Sequence, residues 1–141
     1  MGRLQYTAWL AEQSFSSLVY CWPVTLILAV GCLVTAVVKS PFRPFQFRAR
    51  HSLILAPLLV SLLILVWGAV MEHPSDSQSL APTWPSYVVL ALVVAQLLTG
   101  IYVVCVMKGN RWFSAFAVAL EQWFGLACAF VAGMSVTGDW L

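Results

Sequence analysis

Residues 111–136 read RWFSAFAVALEQWFGLACAFVAGMSV, an apolar run broken near its centre by a single acid. On a helical wheel at about 100° per residue the run splits by side-chain size. Ser114, Glu121, Gly125, Cys128, Ala129 and Ala132 share one face, with Gln122 and Gly133 on its border. Phe116, Leu120, Trp123, Phe130 and Met134 fill the opposite face. In lipid, small residues let a second helix backbone come close, while large apolar ones face acyl chains. The pattern therefore predicts a transmembrane helix that turns Glu121 toward protein and its bulky face toward lipid.

The rest of the chain agrees with a membrane setting. Of its 141 residues, 62% are hydrophobic and 9% charged. Four runs approach the roughly 20 apolar residues needed to span a bilayer: Ser17–Val38, Leu53–Met71, Ser86–Met107 and Trp112–Val136. The pieces left over are too short to build a core of their own. The expected fold is all-α, one transmembrane domain over residues 1–141, a polytopic four-helix bundle. Lys39, Arg43, Arg48 and Arg50 lie between the first two runs, and Lys108 and Arg111 between the last two. The other side carries Arg3 with Glu12, Glu72, Asp76 and Asp139. The positive-inside rule then puts both basic loops in the cytoplasm and both termini on the non-cytoplasmic side, and an inner (plasma) membrane is the expected location.

Polar Gln5, Glu12 and Gln13 interrupt any apolar core near the start, so no usual signal peptide is read there. Leu4, Ala8, Ala11, Phe15 and Leu18 recur at helical spacing opposite Gln5, Glu12 and Ser16, which predicts an amphipathic segment on the outer interface that runs into the first span. Trp22-Pro23 marks the start of that span, and a helix begun earlier would kink at Pro23. Thr25, Ala29, Cys32 and Ala36 give the span a small face of its own. The loop from Lys39 to His51 mixes basic and aromatic residues; beside two spans this reads as a lipid-headgroup anchor rather than a nucleic-acid site. Lys39, Arg43, Arg48, Arg50, Lys108 and Arg111 are the expected headgroup contacts. Trp84-Pro85 opens the third span much as Trp22-Pro23 opens the first, a weak two-hairpin repeat.

Candidate site residues are few. Glu121 stands about 15 Å along the helix from Arg111, near mid-bilayer, where an acid costs on the order of 2.5–3.5 kcal/mol on insertion scales. Gln96 and Ser61 reach similar depth on their own helices, with Thr99 and Gln122 close by. Three roles compete for Glu121: a hydrogen bond to Gln96, Ser61 or Gln122 that holds the bundle, a pairing with another chain, or the handling of protons or a cationic substrate. Pro57 leaves the Leu53 carbonyl without its helical donor. Cys21, Cys32, Cys105 and Cys128 lack metal or redox spacing and read as packing residues. His51 and His73 lie roughly 33 Å apart and cannot share a metal or haem. No metal-ligand spacing, phosphate-binding glycine loop or nucleophile–base set appears, which points away from an enzyme and predicts no cofactor. Small multidrug transporters are similar in type, with four helices and a membrane glutamate, but theirs stands in the first helix, so the likeness supplies no residue.

The expected function is a small non-catalytic membrane subunit, in a homo-oligomer or a larger membrane complex, assembled through Gly125, Cys128, Ala129, Ala132 and Gly133. The alternative is an oligomeric proton- or ion-coupled transporter using Glu121 and Gln96. Expected partners are membrane lipids and other membrane chains, not nucleic acid.

Overall fold

The computed structural model describes residues 3–38, 49–72, 83–107 and 111–138, and every regular element among them is helical. Helix α1 runs Arg3–Tyr20, α2 Trp22–Val38, α3 Ala56–Val70, α4 Trp84–Val106 and α5 Arg111–Thr137; a 3-10 turn, Ala49–Leu55, leads into α3. Three helical stretches are long and apolar enough to cross a membrane: Ser52–Val70, Trp84–Val106 and Arg111–Thr137. A fourth is reached if α1 and α2, bent by 87° against each other, are taken as one broken span.

That bend corrects the start of the first predicted span. Ser17–Tyr20 belongs to α1, and the second helix begins at Trp22. Pro23 has no N–H to give, and its ring collides with the carbonyl four residues back, so one straight helix cannot run through it. Thr25 mends the break: its hydroxyl donates to the Leu18 carbonyl at 3.1 Å and lies 3.4 Å from that of Cys21. Pro57 is accommodated in a similar way, in the first turn of α3 where the missing donor costs little.

Helix α5 is the hub. It packs against α1, α2, α3 and α4, whereas α2 touches α5 and, at the bend, α1 and no other described element. Lipid tails are as apolar as leucine, so burying leucines alone gives helices little reason to associate; close backbone approach and polar contacts decide. Both occur along α5. A Cβ on Gly68 of α3 would fall 2.7 Å from the Ala132 Cβ and 2.9 Å from its Cα. Ser135 of α5 donates to the Gly68 carbonyl at 2.9 Å. Its one hydrogen being committed there, the Tyr6 phenol of α1 must donate to Ser135 Oγ, 3.0 Å away. One hydroxyl thus ties three helices together.

Two expected helix rotations need correction. Phe116 and Trp123 do not face lipid: the Phe116 ring covers Gly31 of α2, and the Trp123 indole donates to Thr25 Oγ1 at 3.3 Å. With helices on several sides, α5 has more protein contact than its small face can supply, and α2 takes the bulky side. Phe130 is exposed. In α1 the buried line is Tyr6, Leu10 and Ser14, while Leu4 and Phe15 of the expected apolar face are exposed; Ala11 and Leu18 of that face do pack partly against the core. The Ser14 hydroxyl is satisfied by the Leu10 carbonyl at 2.9 Å.

Gly68→Ala should therefore cost about 1–3 kcal/mol of stability, because neither backbone can yield. Gly133→Ala, with nothing within 4 Å of the added carbon, should stay within about 0.5 kcal/mol of the parent. Unfolding titrations in mixed micelles would read both, and a reversed order would mean that α5 is turned the other way.

Candidate functional site

Gln96 of α4 and Gln122 of α5 form a reciprocal clasp. The Gln96 amide donates to the Glu121 carbonyl at 3.2 Å, and the Gln122 amide donates to the Gln96 carbonyl at 2.7 Å. A helix carbonyl keeps a second lone pair after its own ladder bond, so neither bond opens the helix. Each glutamine lies over a glycine on the facing helix: Gln96 over Gly125, and Gln122 against Gly100, where an added Cβ would come 2.6 Å from its Nε2. A Cβ at either place would displace the amide that lies over it. Gln96 is 1% exposed, so a buried amide finds its acceptor inside the bundle.

Glu121 takes no side-chain part in this. Its backbone serves the clasp, and its carboxyl Oε2 is buried with no hydrogen-bond partner among the described residues. The three groups expected to hold it are engaged elsewhere: Gln96 and Gln122 in the clasp, and Ser61, fully buried, on the Pro57 carbonyl at 3.1 Å. Thr99 likewise donates within its own helix, to Ala95 at 2.7 Å. Of the expected polar site, then, Gln96, Gln122 and the Glu121 backbone come together, and Ser61 and Thr99 stay apart. The Glu121 side chain keeps part of its surface open and lies within electrostatic reach of Cys32 on α2.

The expected packing residues separate too. Gly125, Cys128 and Ala132 are buried inside the chain, Cys128 among residues of α1 and α3. Ala129 is half-buried, and Gly133 faces open space. The four cysteines are free, with Cys21 exposed and Cys128 buried. Among the described residues no group of His, Cys, Asp and Glu could hold a metal ion. Lys39, Arg43, Arg48, Lys108 and His73 lie outside the described residues, as do the side chains of Arg50 and His51. Arg111 is exposed in the first turn of α5.

Tyr6, Thr25, Trp123 and Ser135 were missing from the expected set. Each pairs across helices far apart in sequence, and only Thr25, on the small face of α2, carried any sign of its role.

Replacing either clasp glutamine by leucine should cost on the order of 0.5–2 kcal/mol. Because the two bonds share one helix contact, Gln96→Leu with Gln122→Leu should cost less than the sum by about 0.5 kcal/mol or more. A thermodynamic cycle built from equilibrium unfolding checks this; strict additivity would show two independent bonds and no clasp. No family model, curated protein or solved structure matches the chain, so the role of these residues rests on their own chemistry.

Proposed function

We propose that the chain is a small, non-catalytic integral membrane protein that works as a subunit, in a homo-oligomer or a larger membrane complex. In this reading α2, α3, α4 and α5 cross the bilayer and α1 lies across the outer end of the bundle. Both basic loops face the cytoplasm and hold anionic headgroups through Lys39, Arg43, Arg48, Arg50, Lys108 and Arg111. Both termini are then on the non-cytoplasmic side, and the inner (plasma) membrane is the proposed location.

One observation carries the proposal: the mid-helix carboxyl of Glu121 has a buried oxygen with no partner among the described residues. Polar groups at that depth are costly and pair with one another, and among the described residues Gln96, Gln122 and Ser61 each give a hydrogen to a backbone carbonyl rather than to this carboxyl. The Glu121 side chain keeps part of its surface open, and a partner chain packed there would supply the carboxyl with a donor. The small face of α5 is a poorer candidate for assembly than the sequence suggests, because Gly125, Cys128 and Ala132 are filled from within.

The unpaired carboxyl would equally suit a proton- or ion-coupled oligomeric transporter working through Glu121 and Gln96. The commitment of Gln96 to the clasp weighs against that reading.

Two measurements test the proposal. Native mass spectrometry from a mild detergent should show the chain in assemblies above its own 15.5 kDa, as a multimer or with other membrane chains. In proteoliposomes holding a pH-sensitive dye, wild type and Glu121→Gln should pass protons equally poorly. A solitary chain with a proton flux that vanishes in Glu121→Gln would replace the subunit with a transporter. Cysteines placed at Ser40 and Ser79 in a cysteine-free background should be labelled by an impermeant reagent at Ser79 only; the reverse would invert the topology.

A further inference from the structure

Among the described residues the carboxyl of Glu121 has no counter-charge. The cationic side chains are Arg3, Lys39, Arg43, Arg48, Arg50, Lys108 and Arg111, with His51 and His73 able to join them. All lie outside the apolar runs or at their borders, and Arg111 in the same helix is about 15 Å away along the axis. A second copy, inserted with the same topology, brings the same groups to the same depths. Self-association therefore offers Glu121 no cation.

The surface beside it is open to another helix. Helix α2 touches α5 and α1 but neither α3 nor α4 among the described residues. Leu26, Ile27, Val30, Leu33, Val34 and Val37 are exposed along it. Glu121 lies within electrostatic reach of Cys32 on α2, so its carboxyl stands on the flank of α5 near that helix.

We propose that Glu121 docks a different membrane chain, one whose transmembrane helix carries a lysine or arginine near mid-bilayer and packs beside α2 and α5. This rests on the subunit reading and narrows it to a hetero-complex. Charge complementarity selects the partner. An acid and a base each resist insertion alone, and both relieve that cost by meeting. Such a pair gives specificity more than net affinity, since a purely apolar contact of the same shape can be as stable. A bare metal cation is a weaker occupant because it needs several oxygen ligands, and no gathering of His, Cys, Asp or Glu exists here among the described residues.

The test uses the full chain in phosphatidylcholine vesicles with dye-labelled, leucine-rich transmembrane peptides carrying lysine, arginine or leucine at the central position. Energy transfer from a donor on the chain reports association. Wild type should bind the lysine and arginine peptides at least tenfold more tightly than the leucine peptide. Glu121→Gln should bring the three within about twofold, and Glu121→Asp, which retains the carboxyl, should keep the preference. Equal binding of all three peptides by wild type would overturn the proposal, as would a preference that survives Glu121→Gln. If Glu121→Gln fails to fold, loss of the preference in Glu121→Asp overturns it instead. Absence of the preference in a chain that native mass spectrometry shows as a homo-oligomer sinks this inference and leaves the subunit reading intact. A Glu121-dependent proton flux by the chain alone sinks the subunit reading itself.

Discussion

Between Gly68 of α3 and Ala132 of α5 there is no room for one more carbon atom. Water drives helices together in soluble proteins by expelling apolar surface, but the bilayer removes most of that drive. What remains is dispersion at short range, which falls off steeply as backbones separate, and the few polar bonds that the lipid cannot replace. Both are concentrated on α5. Its small residues admit α3, its Gln122 and Gly125 interlock with α4, and its Ser135 takes the hydrogen of Tyr6 from α1. Only α2 is held differently, by an indole on the Thr25 hydroxyl and an aromatic ring over Gly31.

The same logic explains the bend. Pro23 in the first turn of α2 keeps that helix from running on collinearly from α1. The 87° turn lets α1 pack across α3 and α5 while α2 stands against α5. The Thr25 hydroxyl takes part in both arrangements, donating to the Leu18 carbonyl of α1 and accepting from Trp123 of α5. Bend and docking of α2 are therefore coupled through one oxygen.

Much of this could be read from the residues alone, and the failures have physical causes. Apolar length located the three long helices to within a few residues, while Pro23 broke the first predicted run into two. The split of α5 by size identified Gly125, Cys128 and Ala132 as a face suited to close packing, and position along its own run put Gln96 at the depth of Glu121. The rule that large residues face lipid failed for Phe116 and Trp123, because it supposes a helix with protein on one side only. The buried line of α1 was missed because Tyr6 and Ser14 count as polar in any periodicity, yet each hydroxyl finds a hydrogen-bond partner inside. Least legible was the separation of Glu121 from its neighbours. Depth brought Gln96, Gln122 and Glu121 to one level, but the two amides chose backbone carbonyls over the carboxyl.

A chain whose central helix is satisfied from within, apart from one carboxyl, differs in kind from one whose helices are completed by copies of itself. Equilibrium unfolding of Gly68→Ala beside the parent, at a series of protein-to-micelle ratios, separates the two cases. A contact closed within one chain should cost the same, about 1–3 kcal/mol, at every ratio. A cost that disappears as the chains are diluted away from one another would contradict the account and place the small face of α5 against another molecule.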